Sequence, residues 1–241
     1  MTQHALLSNV EHKDLRVITA RGKQYGDDMM YAFTFPAEFR NVQAYYPIVF
    51  AKAPDGSFSP LALFGFHQGQ NLFLKDGKWD ATYLPLMVER QPFLIGNAPN
   101  GKVIHIDLDH PRVSRAAGEG EGEGQRVFLD HGGSTEYLEH ISKVLGFIDE
   151  SATATPAFVA ALLEHDLLES FALDIQFGDG KQHRFVGFHA INEEKLRKLD
   201  GAALAKLHER GYLQAMFMAI ASLSKFRDLI DRANKMSAAD R

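Results

Sequence analysis

Four dipeptides, Asp55-Gly56, Asp76-Gly77, Asn100-Gly101 and Asp179-Gly180, constrain this chain more than any other feature. Each stands between short segments rich in Phe, Val, Ile and Tyr. Asn-Gly and Asp-Gly supply the positive φ angles of a type I′ turn, whose twist matches that of the flanking strands. Four such signals predict four antiparallel hairpins and argue against parallel βαβ units, whose crossovers are helices rather than two-residue turns. Three hairpins join 46–52 to 59–66, 71–74 to 78–81, and 93–97 to 102–108; the fourth joins 171–177 to 183–188. Further strands are expected at 15–19 and 30–35. Short helices are expected at 36–40, with Pro36 at its first position, and at 83–90, ended by Gln91-Pro92.

Residues 115–125 read RAAGEGEGEGQ. Backbone entropy and repulsion among like charges predict a flexible surface loop, and the spaced Asp/Asn oxygens of a calcium loop are missing. The pattern then turns helical. Ser134 is placed to cap a helix with Tyr137, Leu138, Ile141, Leu145 and Ile148 on its apolar face. Thr155-Pro156 reads as the start of a second helix. Asn192 and Asp200 are caps for two more, each with a hydrophobic staple, and Gly211 is a stop. A single last helix carries Leu213, Met216, Phe217, Ile220, Leu223 and Ile230 on one stripe. A β-rich region at 15–130 followed by a helix-rich region at 134–233 defines an α+β fold: a hairpin-built, mainly antiparallel sheet in the N-terminal half, with helices packed from the C-terminal half. The hairpin at 171–188 cannot stand alone, so it is expected to join the N-terminal sheet in one domain spanning 1–241.

Composition excludes several functions. The net charge is −5 and there is no run of basic residues, which argues against a nucleic-acid or anionic-membrane surface. There is no cysteine, which removes disulfides, thiolate metal sites and Cys nucleophiles. No stretch is long and apolar enough to cross a bilayer. The N-terminus lacks the pattern of a signal peptide, so the expected location is the cytoplasm. Neither G-x-S-x-G nor H-E-x-x-H occurs, and the glycine clusters lack dinucleotide or phosphate-loop spacing.

Two sets of polar residues remain. His105 and Asp107 alternate with Ile104, Ile106 and Leu108, so a strand would place them on one face. An H-x-D pair with a third ligand from His131, His183 or His189 is the spacing of a facial triad for non-haem Fe(II). The plain alternative is a half-exposed strand. The second set is Gln70 and Asn71, with Tyr46, Trp79, Tyr83 and Arg90 nearby in sequence, as a polar–aromatic ligand pocket. Its plain alternative is a turn whose amides bond the backbone.

The residues YPIVF (46–50), PLALFGF and GQNLF (60–73), Trp79, Tyr83-Leu84-Pro85, Pro92-Phe93, Asp107 and Pro111-Arg112 resemble the SapC family. So do Leu167-Leu168-Glu169, GFHAINEEKL (187–196) and the Leu204, Leu207, Gly211 helix end. The resemblance runs from about 46 to 229. It implies an association with bacterial surface layers by name, and no catalytic residues that could be carried over. It also implies a gene neighbourhood of TonB-dependent receptors, flavin-dependent halogenase-like proteins and cupin-like hydroxylases, hence an accessory role in nutrient uptake or in modifying a peptide or surface product. Relatives do not reliably carry His at position 105, and the Glu/Gly insert departs from the family pattern. The expectation is a non-catalytic binding protein that takes a protein partner or small ligand through its β-rich half, without cofactor or metal. Homo-oligomerisation is left open. An Fe(II) enzyme using His105 and Asp107 is the second reading, and a surface-layer component the third.

Overall fold

A computed structural model describes residues 3–99, 101–115, 123–178 and 182–239. Its strands are β1 (His4–Leu6), β2 (Leu15–Val17), β3 (Tyr31–Phe33), β4 (Ile48–Lys52), β5 (Phe58–Leu63), β6 (Leu74–Lys75), β7 (Lys78–Trp79), β8 (Phe93–Ala98), β9 (Gly101–Asp107), β10 (Val113–Arg115), β11 (Gln125–Arg126), β12 (Leu168–Gln176) and β13 (Gln182–Ile191). The helices are α1 (Phe39–Val42), α2 (Leu86–Glu89), α3 (Glu136–Glu164), α4 (Glu193–Arg197), α5 (Gly201–Glu209), α6 (Tyr212–Ser222) and α7 (Lys225–Ala239). Strand pairs among the described residues are antiparallel, and helices dominate the C-terminal half, so the fold is α+β as expected.

The chain forms two compact units. Residues 1–27, 74–79 and 86–150 make the first; residues 28–73, 80–85 and 151–241 make the second. In the first unit, β1-β9-β8 and β10-β2-β11 form two three-stranded sheets, and β6-β7 a small ribbon. Leu15, Val17, Phe93, Ile106, Val127 and Ile141 form its core. Asp76 and Gly77 both have positive φ, the type I′ turn read from the sequence.

In the second unit a five-stranded sheet has the order β12-β13-β4-β5-β3. The late hairpin β12-β13 therefore does join the early sheet, through Phe188–Ala51 and His189–Phe50 pairing. Central β4 buries Ile48, Val49 and Phe50 in succession, as a strand covered on both faces must. Each fully buried Phe of this layer contributes about 1.5–3 kcal/mol. α6 packs on β4, β13 and α1.

Several expectations need correction. The β4-β5 connection is not a two-residue type I′ turn. Only Gly56 has positive φ, Ala53 and Ser57 pair, and Pro54, whose ring holds φ negative, leads a three-residue turn. Asp55 closes that turn by accepting from the Ser57 amide at 2.9 Å. α1 starts at Phe39, later than Pro36, and α2 is a single turn that ends before the cis Gln91-Pro92 bond.

α3 is one helix of 29 residues, not two. Thr135 rather than Ser134 caps it, its hydroxyl accepting from the Leu138 amide at 3.3 Å, while Ser134 bridges to Phe128. Pro156 lies inside it without ending it. The Thr155 hydroxyl bonds the Ser151 carbonyl at 2.7 Å, and the apolar stripe continues through buried Phe158, Val159 and Leu162. Tertiary burial here outweighs the lost backbone bond. Conversely, the last helix is two, α6 and α7, broken at Leu223-Ser224. Ser222 donates to the Ala219 carbonyl and accepts from the Ile48 amide, and Ser224 donates to the Ala221 carbonyl, each competing with the helical ladder. β1, β10 and β11 carry no signal in sequence and form only because β9 and β2 offer edges. The turn residues Asn100, Asp179 and Gly180, and 116–122 of the Glu/Gly segment, lie outside the described residues.

Candidate functional site

The residues singled out in sequence divide between the units. In the second, Tyr46 is fully buried against Phe64 and Phe73, with ring centroids at 5.3 and 4.7 Å, and its hydroxyl donates to the Tyr83 carbonyl. Tyr83 in turn donates to Glu38 Oε1 at 2.9 Å, while Thr34 donates to Glu38 Oε2 at 2.8 Å. Tyr46 and Tyr83 are thus brought together, but around a buried carboxylate for which the sequence carries no signal. Gln70 accepts from the Phe66 amide at 2.8 Å, and Asn71 from the Phe73 amide at 3.0 Å. These amides hold the turn between β5 and β6. Gly65 is required there, since a Cβ would lie 2.4 Å from the Gln70 carbonyl oxygen. Trp79 and Arg90 belong to the first unit, where Trp79 pairs with Leu74 in the ribbon and Arg90 donates to the Phe93 carbonyl at 2.6 Å. Burial pushes the Arg90 guanidinium below its usual value.

His105 and Asp107 do share a face of β9, two residues apart in register with Leu6 and His4. The His105 ring lies over Gly96, where a Cβ would approach it to 2.3 Å, and Asp107 accepts from the Asp109 amide at 3.2 Å. Among the described residues no three His, Asp or Glu side chains are grouped to hold a metal ion. The His183 side chain lies outside the described residues.

The strongest ionic feature of the first unit is Arg112, 1% exposed, paired with Asp27, 0% exposed, at 2.6 Å. One Nη also donates to the Ile18 and Ala20 carbonyls at 2.9 and 2.7 Å. Asp27 further accepts from the Gly22 amide and faces Arg21. The Arg21 guanidinium is lowered by burial, then by the Arg112 charge beside it. His110 Nδ1 accepts from the Arg112 amide at 3.2 Å, which requires its Nδ1 to be unprotonated. With its Nη donors held by Asp27 and two backbone carbonyls, and its Nε buried without a partner among the described residues, Arg112 ties a chain crossing together.

A concave surface does exist, wholly within the second unit. It is an open cleft of about 290 Å³, at the lower edge of the ~300–1,000 Å³ usual for small-molecule sites. Pro36 and Arg40 form one wall; Ser151, Ala154 and Phe158 of α3 form another; Arg210, Tyr212 and Met218 line the turn into α6 and its first turns. Phe158 and Tyr212 meet edge to face with centroids 5.4 Å apart. Arg40 and Arg210 are exposed, and among the described residues neither makes an ion pair. None of the six residues that the sequence offered as a pocket lines this cleft. The signal that could have found it is Gly211, read only as a helix stop. Its left-handed φ of 72° turns α5 into α6 and so places exposed Arg210 and half-buried Tyr212 beside the start of a new helix.

This antiparallel α+β chain belongs to the SapC family, whose model matches residues 7–229. No curated protein and no solved structure matches the chain. No described helix is long and apolar enough to cross a membrane.

Proposed function

We propose that this SapC-family chain is a non-catalytic binding protein whose ligand enters the helix-lined cleft of the second unit. The observation that carries the reading is the cleft itself, an apolar concavity flanked by two arginines that make no ion pair among the described residues. A guanidinium left unpaired beside an apolar surface spends nothing on stabilising the fold and remains available for recognition. The reading also accounts for the polar residues of the β-rich half. Gln70, Asn71, Tyr46 and Tyr83 are engaged with backbone and with Glu38, and so serve the frame on which the cleft is built. The accessory setting, nutrient uptake or modification of a peptide or surface product, follows from the family resemblance.

Incubating the purified protein with a metabolite extract of its native host, then releasing and weighing what it retains by mass spectrometry, tests the reading. A compound retained by the wild type and lost in Ala154→Trp, which fills the cleft from an exposed helical position, supports it. Retention of nothing, or equal retention by both proteins, counts against it.

A further inference from the structure

We propose that the cleft recognises an organic carboxylate with an apolar body, the carboxylate between Arg40, Arg210 and the start of α6 and the hydrocarbon on Phe158, Ala154 and Met218. The proposal rests on the binding reading above and narrows it to one class of ligand.

Four observations converge on an anion. Arg40 and Arg210 come from elements far apart in sequence yet line one cleft, and among the described residues neither is ion-paired. Both guanidinium groups attract an anion bound in the cleft. The cleft also includes the beginning of α6, an 11-residue helix entered from Gly211 and carrying no side-chain cap. Its first amides are therefore unsatisfied donors at the positive end of the helix. The fourth observation is independent of charge. Ser151 is 94% buried, since only 6% of it is exposed, and it lines the cleft. Among the described residues its hydroxyl bonds no protein group, whereas the hydroxyls of Thr155, Ser222 and Ser224 all bond helix carbonyls, and its oxygen stays accessible from the cleft. An accessible hydroxyl that bonds no protein group can donate to a ligand oxygen in place of water.

The rest of the lining decides what the anion is attached to. Pro36, Ala154, Phe158, Ala215 and Met218 present carbon, and Met adapts to irregular apolar shapes. The polar groups sit together at the arginines, Ser151 and the α6 start, so the ligand should be polar at one end only. Arginine's planar fork matches the two oxygens of a carboxylate. A volume of about 290 Å³ admits a short alkyl or aryl acid rather than a nucleotide or peptide of several residues.

Calorimetric titration of the whole chain with octanoate, 1-octanol and octyl phosphate tests the assignment. Saturable octanoate binding, at least about tenfold tighter than octanol and octyl phosphate, is expected. Arg40→Gln with Arg210→Gln should weaken octanoate at least about tenfold without weakening octanol, and Ser151→Ala should weaken it severalfold. Both arginines are exposed, so the double variant keeps its fold, which circular dichroism verifies. Equal affinity for octanol and octanoate, tighter binding of octyl phosphate, or octanoate binding unchanged in Ala154→Trp would each overturn the proposal. If a host metabolite is still captured in the cleft while octanoate is not bound, the carboxylate assignment falls and the binding reading stands.

Discussion

The two units treat arginine in opposite ways. In the first, Arg112 is 1% exposed and spends its Nη groups on Asp27 and two carbonyls. In the second, Arg40 and Arg210 are exposed at the rim of an apolar cleft, without ion pairs among the described residues. Burying a charge is tolerated only when its main partners are built in, as Asp27 and two carbonyls are for the Arg112 Nη groups. Charge left unpaired beside carbon surface is what the proposed binding role requires. On the proposed reading, the contrast separates an arginine that serves folding from two that serve binding, although all three are the same amino acid.

The largest effect is expected at the buried pair. Asp27→Ala leaves Arg112 buried and uncompensated and should cost about 3–5 kcal/mol in denaturant unfolding. Replacing both partners, Asp27→Leu with Arg112→Met, should cost less than the two single changes together, because the Arg112 charge is no longer left alone and only Arg21 still loses its carboxylate. A double variant as unstable as the sum of the singles would break the assignment of Arg112 as a structural group.

An intermediate effect is expected at Asn71. Asn71→Ala removes the acceptor for the Phe73 amide in a buried turn and should cost about 1–3 kcal/mol. A change near zero would mean the amide is not part of the frame.

His110 gives a pH dependence with a definite sign. Burial first, and the Arg112 charge second, push its imidazole below the usual 6.5, against the opposing pull of Asp107 and Asp27. The unfolded chain therefore binds the proton more readily than the folded one. Stability from neutral His110 is fully present above pH 6.5 and declines as pH falls through 6.5 toward the lowered folded value. Asn at position 110 keeps an acceptor for the Arg112 amide without titrating, so His110→Asn should flatten that part of the stability–pH curve. A curve that keeps its slope would place the proton elsewhere.

The smallest stability effect is expected at the cleft. Arg40→Gln with Arg210→Gln should change unfolding free energy by no more than about 0.5 kcal/mol. A loss of several kcal/mol would make these arginines structural and dissolve the contrast with Arg112.

The sequence made some of this legible and hid the rest for physical reasons. Hairpins are local, and Asp76-Gly77 needs only its own two residues to announce a turn. Helix caps are local too, and Asn192 and Asp200 accept from the Lys195 and Ala203 amides at 2.8 and 2.7 Å as their spacing required. Pro156 misled because its effect on a helix depends on what the helix buries, which lies elsewhere in the chain. Glu38 and Arg112 were opaque for the same reason: their partners are 45 and 85 residues away, at Tyr83 and Asp27. The cleft was least legible of all. Arg40, Ser151 and Arg210 are unremarkable in their own neighbourhoods, and only the packing of α1, α3 and α6 assembles them.

The most direct test of the central claim is a methionine-methyl NMR titration of the intact chain with octanoate. Met218 lines the cleft, so its methyl signal should move saturably with ligand and stop moving when Ala154 becomes Trp. A Met218 signal that stays fixed while calorimetry reports octanoate binding would put the ligand elsewhere and contradict the account.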